Sequence, residues 1–365
     1  MFIPMRNLFF VFCLFFSGYL FAQIPDGYYD AASGKKGYQL RVALHDIIDN
    51  HTVVSYTSLW THFYTTDDKS DGTVWDMYSD IPAGTPFYSF NFGDDQCGTY
   101  SAEGDCYNRE HSLPKSWFGD ISPLNSDLFH IYPTDGYVNG RRSNYPFGEV
   151  DSPTWTSSNG SKLGNCSFSG YSGVVFEPID SFKGDFARSY FYMATRYMDQ
   201  NFGQESLSMF SGSEFKSWAL AMLTSWNNLD PVSQKEIDRN DAVYQIQNNR
   251  NPFIDFPELV GKIFGNDSVA PFYPNSISDY DLNHHFFLFP NPAKERFYIR
   301  NNSLSIDEVL IFDMLGNPVM QINGIVAPVI EISTNTLTSG FYIIKITEKN
   351  LIRTEKLVIN KDGNH

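Results

Sequence analysis

Between Asn266 and His285 the chain reads NDSVAPFYPNSISDYDLNHH, a stretch dense in Pro, Ser, Asn and Asp with no apolar period. Such composition favours turns and solvated backbone over a packed element, so it predicts a linker that divides the chain. Downstream, FFLFPNPAKERFYIRNN, VLIFDMLGNPVMQI, VIEIST, GFYIIKITEK and TEKLVI are short β-rich runs broken by turn residues. They predict a small all-β sandwich over 286–365. Upstream, 23–265 mixes helical periods with short strand-like runs, an α+β pattern. With 365 residues, 42% hydrophobic and 16% aromatic, each part has enough apolar material for its own core. The first 22 residues carry Arg6, an apolar run from Leu8 to Phe16 and a small residue at Ala22. That is the pattern of a secretory signal peptide, too short for a stable membrane span.

Apolar residues at helical spacing predict helices over Tyr38–Asn50 and Asp185–Gln200. In the second, Phe186, Ala187, Tyr190, Phe191, Ala194, Tyr197 and Met198 form one broad stripe. Ser211 with Glu214 has the spacing of a capping box for a helix through Trp218, Leu223 and Trp226. Asp230-Pro231 supplies an N-cap and an N1 proline for another through Ile237, Val243 and Ile246.

The chemistry-bearing residues concentrate in two stretches between these helices. CYNREHSLPKSWF, Cys106 to Phe118, places Glu110 beside His111 near a strand end marked by Pro114. SDLFHIYPTDGYVNGRRSNYPFG, Ser126 to Gly148, reads as a strand over Asp127–Tyr132, a turn at Pro133-Thr134, and a helix containing Asn139. On that helix Arg142 and Ser143 share Asn139's face, while Gly136 and Gly140 leave a bare stripe that invites close approach of another backbone. Alone, Glu110-His111 is a common polar dipeptide. Joined by an amide oxygen from Asn139, the acid becomes half of a hard-cation site, and a neutral imidazole becomes a base that can deprotonate water.

The ordered motifs EHSLP, SDL and YPTDGYVNGRRSN resemble the endonuclease I family of secreted and periplasmic nucleases, built on a ββα-metal (His-Me) finger. VFEPIDSFKGDFARSYFYMATRY and DRNDAVYQIQNNRNPFIDFPEL are similar to that family's later helices, so the likeness spans most of residues 25 to 262. It implies a ββα-metal finger core packed with several helices, Glu110 and Asn139 as ligands of Mg²⁺ (with Mn²⁺ or Ca²⁺ as alternatives), His111 as general base and Arg142 as a phosphate contact. It also implies DNA, or RNA, as substrate and 5′-phosphate products. The chain departs from relatives at Asn125 and His130-Ile131, and lacks an arginine-bearing, cysteine-rich insertion; Arg141 and Arg188 are candidates for that arginine's role. FPNPAKERFYI, VLIFDMLGNPV, LTSGFYIIKI and TEKLVI resemble the type A sorting domain of the type IX secretion system. That implies export to the cell surface or medium by the type IX machinery.

A net charge of −16 excludes a chain whose whole surface attracts phosphate, so any grip on nucleic acid must be local. Cys97 and Cys106, with eight residues between them, are positioned to close a short loop in an oxidising compartment, leaving Cys166 odd. No CxxC pair suggests zinc. His130 is open between orienting His111 or a metal-bound water and packing in the core; His45, His51 and His62 lack companion ligands, and His284-His285 falls in the linker. Glu177, Lys183 and Arg188 either border the cleft or form a salt-bridge network. A non-catalytic surface module that binds extracellular DNA is the competing reading from outside enzymes.

Overall fold

The computed structural model describes residues 24–274 except 83, and residues 286–361 except 290–292, 302–305, 326, 328 and 349–350. The expected signal peptide lies outside the described residues, as do His284-His285 and much of the expected linker. The chain divides into two units, the first ending at Phe272 and the second beginning at Tyr273. Residues 266–272, expected to be linker, belong to the first unit because Phe272 is buried edge-on against Phe256 and exchanges backbone hydrogen bonds with Gly34 and Lys35. Apolar anchoring of one aromatic outweighs the turn-rich composition around it.

The first unit opens with α1 (Gly37–Ile48), which turns Leu40, Leu44 and Ile48 inward, and α2 (Leu59–Thr66). A long irregular segment leads to β1 (Tyr107–His111), which pairs antiparallel with β2 (Ile131–Asp135), followed at once by α3 (Gly136–Arg142). Three short antiparallel strands follow, β3 (Pro153–Thr156), β4 (Lys162–Asn165) and β5 (Val174–Glu177). Then comes α4 (Lys183–Arg196), all fourteen of whose residues are buried. The expected one-sided stripe is therefore a helix covered on every side, the axis on which α1 and later helices pack. A hairpin of β6 (Phe210–Ser211) and β7 (Glu214–Phe215) precedes α5 (Ser217–Leu229), α6 (Gln234–Gln247), α7 (Pro252–Asp255) and α8 (Leu259–Phe264).

Several local expectations change. Ser211 and Glu214 pair across the hairpin rather than capping α5; the capping box is Ser233 with Glu236 at the start of α6. Asp230 does not start α6 but accepts from the Gly184 amide at the start of α4. At Asp230 a contact 46 residues away won over local spacing; at Ser211 a tight hairpin did, with Glu214 drawn to Arg41. Pro133-Thr134 is strand, opposite Arg109 and Asn108, while residues 127–130 are turn and coil. Asp135 N-caps α3 through Val138.

In the second unit β8 (Phe286–Phe289), β9 (Arg296–Asn301) and β12 (Val329–Ser333) form one antiparallel sheet. The other comprises β10 (Ile306–Phe312), β11 (Pro318–Ile325), β13 (Gly340–Glu348) and β14 (Leu351–Ile359). Phe297 and Ile299 from the first sheet share a core with Val309, Ile311, Ile344, Ile346 and Leu357 from the second. Alternate residues point inward, as a sandwich requires.

Candidate active site

β1 ends at His111, so Glu110 and His111 occupy the last two rungs of the ribbon, opposite Tyr132 and Ile131. Successive strand residues face opposite sides, which places Glu110 with Asn108 on one face and His111 with Arg109 on the other. Because the strand stops there, both faces reach one cleft of about 310 Å³, lined by Arg109, Glu110, His111, Lys115, Asn139 and Arg142.

Glu110 is buried and held from one side. Its Oε1 accepts from the Tyr78 hydroxyl at 2.7 Å and from Arg142 Nη1 at 2.7 Å. Among the described residues no hydrogen bond engages Oε2. Burial pushes its carboxyl above the ordinary range, while Arg142 and Tyr78 pull it back. Asn139 donates its side-chain NH₂ to Asn108 Oδ1 at 2.7 Å, which orients the amide and leaves its carbonyl oxygen with no hydrogen bond among the described residues. One carboxylate oxygen and one amide oxygen, both unspent and lining one cleft, are hard donors of the kind that Mg²⁺ takes together with substrate oxygens and waters. The residues present therefore fit that cation.

Arg142, expected as a phosphate contact, lines the cleft with its guanidinium engaged by the protein. It is buried, with Nη1 bonded to Glu110 and to the His111 carbonyl, and Nη2 to the Ser112 carbonyl. Its guanidinium lies over Phe147 at 4.7 Å. It fixes the carboxylate and the end of β1 from α3, a positioning task that uses both Nη1 hydrogens and one of Nη2. Removing one partner of such a pair would cost about 3–5 kcal/mol.

His111 is buried between Tyr56 (5.7 Å, near-parallel), Phe118 and His130. Its Nε2 lies 3.3 Å from the Asn125 carbonyl. A carbonyl only accepts, so this contact selects the Nε2–H tautomer and leaves the Nδ1 lone pair for a proton. Burial, reinforced by His130, holds its pKa well below the usual value, so the ring is a neutral base. The Asn125 backbone does this orienting, and its side-chain identity is irrelevant to it. His130 packs against His111 at 5.4 Å but bonds Leu124 O through Nε2, so it fills space rather than orienting its neighbour by hydrogen bond. Burial brings its pKa down to about 4, keeping it uncharged.

The other expected site residues are elsewhere. Arg188 is buried with Glu236, and Arg141 is exposed against Tyr137 and Trp155. Neither lines the cleft. Lys183 joins Glu149, Glu177 and Asp180 in a salt-bridge network. His45 bonds the carbonyls of Thr195 and Arg196, His51 accepts from Arg196, and half-buried His62 sits on α2. Cys97 and Cys106 are joined in a disulfide that closes the loop before β1, and Cys166 is a free thiol. In that loop Tyr100 lies flush on α3: a Cβ at Gly136 would sit 2.7 Å from its ring and one at Gly140 2.5 Å from its hydroxyl. The bare stripe thus receives a tyrosine side chain, not a backbone. Asn108, Arg109 and Tyr78 were missed. The first two stand at i−2 from Glu110 and His111, so strand alternation alone would have found them. Tyr78 comes from an irregular segment with no periodic signal.

The family model described as Endonuclease I matches residues 36–258, and that described as Secretion system C-terminal sorting domain matches residues 287–360. An extracellular ribonuclease of Bacillus subtilis (strain 168) is 33% identical over 247 residues, covering 66% of this chain and 78% of the relative. An extracellular ribonuclease of Bacillus amyloliquefaciens is 35% identical over 246 residues, covering 65% and 78%. Endonuclease-1 of Buchnera aphidicola subsp. Acyrthosiphon pisum (strain APS) is 28% identical over 132 residues, covering 36% and 45%.

Proposed function

The chain belongs to the Endonuclease I family and is a secreted or cell-surface nuclease carrying a secretion sorting domain, and on that premise we propose that it is a divalent-metal-dependent phosphodiesterase with little sequence preference that favours RNA and also cleaves DNA. His111 Nδ1 takes a proton from the attacking water; the Asn125 carbonyl holds the imidazole in the required tautomer and supports the positive charge it then gains. Glu110 Oε2 and the Asn139 carbonyl hold the cation, and Arg142 with Tyr78 keeps Glu110 fixed from behind. When bound, Mg²⁺ supplies charge neutralisation at the scissile phosphate and the departing 3′ oxygen. These groups address backbone and not base edges, which supports low sequence preference.

The observation that carries this reading is the division within one cleft between oxygens left unspent on α3's side of β1 and an imidazole lone pair on the other. The preference for RNA is supported by the two Bacillus ribonucleases, which match over the greater part of their length. Attack by water predicts 5′-phosphate ends on both nucleic acids. Direct use of a ribose 2′-hydroxyl would instead leave cyclic phosphates on RNA and spare DNA. Digesting labelled RNA and DNA of one sequence with mature protein, with and without EDTA, decides it. Cleavage indifferent to chelator, or cyclic phosphate ends, would sink the proposal. The type IX machinery as export partner is supported by the sorting domain, and among the described residues no helix is long and apolar enough to cross a membrane.

A further inference from the structure

Three arginines stand in the two chemistry-bearing stretches, and two are committed: Arg142 to Glu110, and Arg141 to aromatic neighbours outside the cleft. Arg109 differs. It is half-buried, lines the cleft and has no carboxylate partner among the described residues. Its guanidinium lies flat on Tyr56 at 3.8 Å and over Trp60 at 4.5 Å, and Nη1 donates to the Tyr56 carbonyl at 2.7 Å. The neighbouring cation, Lys115, is paired with Asp120.

A partly desolvated cation left without an acid costs free energy, and in a chain of net charge −16 acids were plentiful. The Tyr56 and Trp60 rings restrict the side chain before any ligand arrives, so little rotamer entropy is left to lose. Alternation along β1 puts Arg109 on the face of His111, the side from which water attacks.

We propose that Arg109 is a substrate-contact residue that grips a backbone phosphate of the nucleic acid on the His111 side of the cleft, a binding contact that sets how tightly the strand is held rather than how fast the bond breaks. This rests on the nuclease reading above.

The test is steady-state cleavage of RNA by Arg109→Met and Arg109→Lys at several salt concentrations. In Arg109→Met, KM rises about ten- to thirtyfold, the worth of one charge-assisted hydrogen bond, while kcat stays within about threefold. The slope of log KM against log salt falls by about 0.7–0.9, one phosphate contact. Arg109→Lys restores the slope but only part of the affinity, because an ammonium cannot lie flat on Tyr56. Unchanged KM and slope in Arg109→Met, or a loss confined to kcat, overturns the proposal. If Arg109→Met does not fold, an Arg109→Lys variant with wild-type KM overturns it as well. Fluorescent oligonucleotide binding to His111→Ala, with and without Arg109→Met, separates this idea from the catalytic one. Weaker binding in the double variant supports the contact even if no variant cleaves, and equal binding refutes it even if the nuclease reading stands.

Discussion

Two arginine–glutamate pairs lie buried in the first unit, and they use their carboxylates differently. Arg188 meets Glu236 with Nε on one oxygen at 2.6 Å and Nη2 on the other at 2.8 Å, and the Ser233 amide adds a further bond to the second oxygen. Both oxygens are spent, and the pair ties α4 to the start of α6. Arg142 and Tyr78 meet Glu110 on one oxygen only. The chemistry of the partners is the same; the difference lies in which lone pairs remain. A closed pair is structure, whereas a half-open one at a strand end leaves an oxygen for the cation proposed above.

The sharpest way to break this contrast is at the open pair and its neighbour. His111→Ala should lower kcat by about 10²- to 10⁴-fold with the fold retained by circular dichroism, and Glu110→Gln should lose chelator-sensitive cleavage together with divalent-ion binding seen by calorimetry. Retained Mn²⁺ binding in Glu110→Gln would move the metal elsewhere. Next, Arg188→Met should cost about 3–5 kcal/mol in urea unfolding while the folded fraction keeps its KM for metal. A smaller effect is expected from Tyr78→Phe, which removes one bond to Oε1: roughly 1–2 kcal/mol of stability and a higher Mg²⁺ concentration for half-maximal rate, with kcat little changed. The pH profile tests His111 itself. Because burial lowers its pKa, the neutral base persists below the ordinary histidine range, so kcat/KM should stay flat from neutral pH and fall only below about 6.5. A midpoint above 7 would contradict a desolvated base. Smallest of all, ending the chain before Tyr273 should leave RNA cleavage within about twofold, since all the residues assigned here belong to a unit with its own core.

How much of this was legible in the sequence depended on range. That Glu110, His111 and Asn139 would gather at one cleft was readable because short, ordered motifs carry them, and the ββα order was implied by the resemblance those motifs bear. The role of Arg142 was not, because spacing shows which helix face a side chain shares but not whether that face is solvent or core. Tyr78 and the Asn125 carbonyl were invisible for another reason: one comes from an aperiodic segment, the other acts through backbone, which no residue type announces. The capping errors at Ser211 and Asp230 show the converse, local signals outbid by tertiary partners. The sandwich strands were legible since alternation is dictated by two-sided burial.

The tyrosine resting on α3 has a consequence for descent. Tyr100, anchored in the disulfide-closed loop, fills the space that any side chain at position 136 or 140 would need. A lineage replacing either glycine first would displace the helix bearing Asn139, whereas one that first shortened residue 100 could then improve the helix freely. The permitted histories are therefore ordered: a side chain at 136 or 140 should occur only where residue 100 is already smaller than tyrosine.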